Sequence, residues 1–177
     1  MKALSISVPK AIGALILLLY GAYCAIRPAE WHLIDGVNLV AHEAGHMLFG
    51  WFGEFPGIAG GTIGQLFVPA ACAIYFYLQD ARYSATVPFF WLGQSMINVS
   101  VYVKDARTME LPLVSIGAGG DPIHDWHWML TRLGLLERDQ MVGNIFLGTG
   151  VLIMLAAAIG ALLLSLNRPD EADGLTG

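Results

Sequence analysis

The stretch Leu33-Ile34-Asp35-Gly36-Val37-Asn38-Leu39-Val40-Ala41-His42-Glu43-Ala44-Gly45-His46-Met47-Leu48-Phe49-Gly50-Trp51-Phe52 reads as a membrane-spanning helix, yet it carries Asp35, Asn38, His42, Glu43 and His46. A span needs about 20 mostly apolar residues. Ionisable groups inside one are costly, so they face protein or a water-filled cavity and mark a functional site by default. Asp35, Asn38, His42 and His46 follow at steps of three, four and four, which puts them on one stripe of a helix. Gly45 and Gly50 let other backbone approach closely. The plain alternative is that Asp35 sits at the interface and Asn38 bonds a neighbouring helix.

Composition outside this stretch agrees. The chain of 177 residues is 56% hydrophobic and 13% charged, with a mean hydropathy of +0.61, well to the apolar side of soluble domains. A net charge of −5 without any Lys/Arg run argues against nucleic acid as a partner. Cys24 and Cys72 fall in apolar segments with no Cys-x-x-Cys pair, so they indicate no compartment. The expected architecture is all-α and polytopic: one integral membrane domain over residues 1–166 and a disordered acidic tail over 167–177. About five transmembrane helices fall near residues 11–26, 33–52, 61–78, 86–103 and 144–166. The first is not read as a cleaved signal, because Tyr23 before Cys24 spoils a lipoprotein-type site. Pro69 should kink the third unless neighbouring helices satisfy the freed carbonyl.

Within the second span, His42-Glu43-Ala44-Gly45-His46 is an H-E-x-x-H motif. Two imidazoles four residues apart converge on one point while the glutamate projects beside them, which is the arrangement of a hydrolytic zinc site. Zn2+ accepts neutral imidazole nitrogen and lowers the pKa of water, and Glu43 is then the general base. The alternative is a satisfied polar packing cluster. A catalytic site usually takes a third protein ligand. Gln94, Asn98, Tyr102 and Asp105, spaced four, four and three apart, form a second polar stripe on the fourth span. Asp105 is the leading third ligand, with an interfacial Asp balanced by Lys104 and Arg107 as the alternative. Asn38, Gln94 and Asn98 are expected to line a water-bearing pocket.

Basic residues set the expected orientation. With a cytoplasmic N-terminus, Lys2, Lys10, Lys104, Arg107, Arg132 and Arg138 lie inside, against Arg27, Arg82 and Arg168 outside. The segment 104–143 is then cytoplasmic and the acidic tail is outside. After Gly117-Ala118-Gly119-Gly120, Asp121 and Pro122 read as N-cap and first residue of a short amphipathic helix whose apolar stripe is Ile123, Trp126, Leu130 and Leu133. Its opening turn offers His124 and Asp125 as alternative metal ligands, with His127 nearby. Trp126 and Trp128 suit the membrane interface, so this helix lies on the bilayer or caps the site.

The motif inside a span, followed by Asn98 and by Asp105-Ala106, resembles the site-2 protease family of intramembrane zinc metalloproteases. Gly93-Gln94, the run from Val101 to Arg107, Gly119-Gly120 and His124-Asp125-Trp126 resemble an uncharacterised bacterial branch of it. The resemblance implies that His42 and His46 bind zinc, that Glu43 is catalytic, and that Asp105 is the third ligand, although Ala106 stands where the family has glycine. It also implies peptide-bond hydrolysis in or near a bacterial inner membrane, on a membrane-protein or membrane-peptide substrate. Three rival readings are a hydrolase of prenylated peptides or lipid amides, a non-catalytic metal-binding subunit of a larger complex, and a transporter. A partner subunit or a homo-oligomer is left open. Five unequal spans without an internal repeat argue against the transporter.

Overall fold

The computed structural model describes residues 5–112 and 123–167. Among these, six α-helices form the molecule: α1 (Val8–Ile26), α2 (Asp35–Phe49), α3 (Glu54–Leu78), α4 (Arg82–Lys104), α5 (Asp125–Arg132) and α6 (Asp139–Leu163). Single 3-10 turns at Gly50–Phe52 and Leu136–Arg138 precede α3 and α6. The expected Gly117–Gly120 turn, the Asp121 cap with Pro122, and the tail beyond residue 167 lie outside the described residues.

Three helical stretches are long and apolar enough to cross a membrane: Val8–Ile26, Glu54–Leu78 and Leu136–Leu163. They suggest a membrane protein. Of the five expected spans, the first, third and fifth meet this criterion. The second expected span is α2, which has 15 residues and is about 22 Å long at 1.5 Å per residue. The fourth is α4, which has 23 residues but too polar a composition. The reason is position. Helix α4 packs against α1, α3 and α6 and buries Gln94, Ser95 and Ser100, so its composition answers to protein neighbours.

Helix α2 is amphipathic in the inverted sense. Asp35, Asn38, Ala41, His42 and Gly45 are buried, while Val37, Val40, Met47 and Leu48 are exposed. A polar stripe turned inward and an apolar face turned outward suit a lipid surrounding.

Small residues set the helix contacts. A Cβ on Gly45 would strike the Gly60 carbonyl, and α2 crosses α3 at this point. Gly93 of α4 meets Gly150 of α6 in the same backbone-to-backbone manner, and Gly143 meets Ser100 and Lys104. Such close approach gains van der Waals contact that larger side chains would prevent. Cys24, Phe90, Ile97, Met154 and Ala157 form one apolar core, and Val99, Val103, Ala106 and Leu130 form a second beneath α5. Helix α3 continues through Pro69, which is buried.

The ends of the described chain meet, and the start of the short helix is corrected. Ser5–Ile6 and Leu166–Asn167 pair as a two-stranded antiparallel ladder, and the Ser7 amide donates to the Ser165 carbonyl at 2.8 Å. Both ends of the described chain therefore lie at one end of the bundle. The short amphipathic helix begins at Asp125, with His124 as N-cap. Its buried face is Asp125, Met129 and Leu130, whereas Ile123 and Leu133 of the expected stripe are exposed. A side chain able to accept the His127 amide fixes the start of the helix more firmly than the apolar pattern does.

Candidate metal centre

Helix α2 stacks His42 and His46 one turn apart, with ring centroids 4.7 Å apart at an interplanar angle of 77°. The third group comes from α5. Asp125 Oδ2 lies 2.9 Å from His42 Nε2 and 3.1 Å from His46 Nε2. His42 and Asp125 are buried and His46 is half-buried. Ligand atoms of these three residues all lie within 4.8 Å of one another, so the group can hold a metal ion.

The outer nitrogens of both rings are already engaged. His46 Nδ1 is 2.8 Å from the Gly57 carbonyl, which can only accept, so the proton is assigned to Nδ1. His42 Nδ1 is 3.3 Å from Gln65 Oε1. The Gln65 amide donates to Asn98 Oδ1 at 2.9 Å and to the Ser95 carbonyl at 3.4 Å, which turns its oxygen toward His42 and assigns that proton to Nδ1 as well. Both Nε2 atoms then present lone pairs to a carboxylate oxygen about 3 Å away. Three lone pairs facing one another require a cation between them, either a metal ion or added protons. Outer hydrogen bonds of this kind are what orient metal-binding histidines.

Gly61 of α3 supplies a second test of fit. A Cβ there would sit 2.5 Å from Nε2 of both His42 and His46. The glycine thus leaves clear the space directly beside both Nε2 atoms, which any other residue would fill. Two imidazoles and one carboxylate form a donor set suited to zinc and to other divalent first-row metals. Glu43 lies beside the cluster, half-buried, and its charge acts on His46 and Tyr102.

Asp105, expected from its motif position to be the third ligand, stands apart from the converging group. Its Oδ1 accepts from the Thr108 hydroxyl at 2.8 Å and the Glu110 amide at 2.9 Å; its Oδ2 accepts from the Leu111 amide at 3.1 Å and lies 3.2 Å from His124 Nε2. These bonds turn the carboxylate into the loop after α4. The alternative, Asp125, is the carboxylate that lies against both histidines. His124 is also elsewhere, since Asp105 and the His127 amide take its two ring nitrogens.

The expected pocket residues divide. Asn98 orients Gln65 and so belongs to the surroundings of His42. Asn38 and Gln94 join Asp35 in a buried network: Asn38 Nδ2 donates to Gln94 Oε1 at 2.8 Å, and Gln94 Nε2 donates to Asp35 Oδ1 at 2.7 Å. Trp91 Nε1 and Ser95 Oγ donate to Asn38 Oδ1 at 2.7 and 2.8 Å. These side chains satisfy one another rather than an open space.

Sequence reasoning did not find Gly57, Gly61 and Gln65 as parts of the site. They recur at steps of four and so form the single face of α3 turned to α2, a signal available in the pattern. No family model matches the chain, and no curated protein or solved structure is significantly similar to it.

Proposed function

We propose that this protein is a membrane-embedded zinc metallopeptidase whose metal is held by His42, His46 and Asp125. One observation carries this reading: the two Nε2 lone pairs and the Asp125 carboxylate converge, within 4.8 Å of one another, on the helix that also carries Glu43. The resemblance of the His42–His46 motif to site-2 proteases supports the reaction class and a bacterial inner membrane as its setting. Bound zinc would supply Lewis acidity toward the scissile carbonyl and lower the pKa of water.

The chain's own residues do the rest. Glu43, adjacent to both the ligands and the half-exposed flank of His46, accepts the proton of the attacking water and returns it to the leaving amine. Gln65 and the Gly57 carbonyl hold the imidazoles in their metal-accepting tautomers. Among the described residues only three donors gather, and both nitrogens of His124 are engaged elsewhere. The substrate class we assign is a membrane-protein or membrane-peptide segment.

The test is metal analysis of the detergent-purified protein together with cleavage of membrane-peptide substrates. Wild type should carry close to one zinc per chain, and His46→Ala should lose it. Glu43→Gln should retain zinc and lose turnover. Undiminished turnover in Glu43→Gln would overturn the role given to Glu43, and a wild type without metal would overturn the assignment as a whole.

A further inference from the structure

Three hydrogen-bonding contacts and one ring stack fasten the first turn of α5 to the end of α4. His124 Nδ1 accepts the His127 amide at 3.2 Å, so that nitrogen is unprotonated and the ring proton is assigned to Nε2. Nε2 faces Asp105 Oδ2 at 3.2 Å, a carboxylate that can only accept. His127 Nδ1 lies 2.7 Å from the Ala106 carbonyl, and the Asp125 amide donates to Tyr102 Oη at 3.1 Å. The His124 ring also stacks on Tyr102, with centroids 4.3 Å apart.

The residue between His124 and the rest of α5 is Asp125, the one donor of the cluster that does not come from α2. Its helix has eight residues, too few to hold its own position. The Asp125 carboxylate is therefore set from outside the helix: α3 holds the flank of α5 through the Trp126 Nε1 bond to Thr62 Oγ1 at 3.2 Å, and the attachment to α4 holds the turn that carries His124 and Asp125.

We propose that Asp105 is a positioning residue: it fixes the tautomer of His124, and through that ring it fixes the N-terminal turn of α5 and the reach of Asp125 to His42 and His46. The inference rests on the metal reading above and adds a residue that reading does not use. The negative charge of Asp105 acts one residue removed from the metal. Neutral His124 in the Nε2–H form needs an acceptor at Nε2, and Asp105 is that acceptor. Three further donors, Thr108, Glu110 and Leu111, pin the carboxylate itself.

Two readouts on the full chain in detergent test this. The first is hydrogen exchange of the Asp125, His127 and Trp128 amides without metal. The second is a Co2+ titration followed by the visible absorption of the bound ion. In Asp105→Ala we expect faster exchange in α5 with the exchange of α2 unchanged, and Co2+ binding about 10–100-fold weaker. The absorption at saturation should match wild type, because no donor has been removed. Asp125→Ala should instead alter the saturated spectrum. Two results would overturn the proposal: Asp105→Ala with a spectrum changed like that of a lost donor, which would make Asp105 a ligand, or Asp105→Ala with wild-type affinity and wild-type α5 exchange. If wild type itself binds no Co2+, the metal reading falls, and the exchange result alone decides whether Asp105 holds α5.

Discussion

Replacing Gly61 by alanine tests the metal centre with a single methyl group. The new Cβ would lie 2.5 Å from Nε2 of His42 and of His46, and 2.7 Å from His42 Cε1. Ordinary contact begins near 3.4 Å, so both rings, or α3 itself, must retreat by about 1 Å, beyond the tolerance of about 0.5 Å for a functional constellation. A misplacement of about 1 Å can cost about 10²-fold. Zinc affinity should therefore fall at least about 10²-fold, or about 2.8 kcal/mol at about 1.4 kcal/mol per tenfold. The assay is competition for zinc against a chelator of known affinity, on detergent-purified protein whose helix content is checked by circular dichroism. Gly36→Ala is the control, since that position on α2 has nothing within 4 Å of an added Cβ. Gly61→Ala that folds and binds zinc as tightly as wild type would refute the placement of the metal between the two Nε2 atoms.

Other consequences can be checked separately. Gln65→Leu removes the acceptor of His42 Nδ1–H and should weaken zinc binding about 10–100-fold without unfolding the bundle, measured by the same competition. Gly150→Ala drives a methyl into the Gly93 carbonyl, whereas a methyl on Gly148 meets nothing within 4 Å. The first should lose about 1–3 kcal/mol and the second almost nothing when unfolding is followed in detergent mixtures. Burial raises the Asp105 carboxyl, but hydrogen bonds from Glu110, Thr108, Leu111 and His124 outweigh it, so its pKa in the fold is below the ordinary value. A carboxyl depressed in this way contributes stability that is complete above its unfolded pKa of about 3.9 and is lost as pH falls through the folded value. Attachment of α5, followed by amide exchange during acid titration, should hold through mildly acidic pH and fail below the ordinary carboxylate range. Failure already near neutrality would contradict the bonding described for Asp105.

The outcome for the two carboxylates explains where sequence reading succeeds. The pairing of His42 with His46 follows from helical periodicity over four residues, and no tertiary arrangement of an intact helix could separate them. The polar stripe of α2 was legible for the same reason, and so was the apolar length of α1, α3 and α6. Helix α4 falls short of membrane-span hydropathy because its composition answers to the helices packed around it.

By itself, then, the sequence determined an all-helical chain with membrane-length apolar segments and a two-histidine, one-glutamate motif on an inward face. The tertiary structure alone decided which acid joins the histidines. Asp125 lies 83 residues from His42 in the chain, and no local period relates them. The loop after α4 folds its own amides onto Asp105 and withdraws it, while the His124 cap turns Asp125 inward. Those bonds are local, but the contacts that complete the exchange are not: Asp125 to His42, His124 to Asp105 and the Asp125 amide to Tyr102 join partners that only the packed bundle brings together.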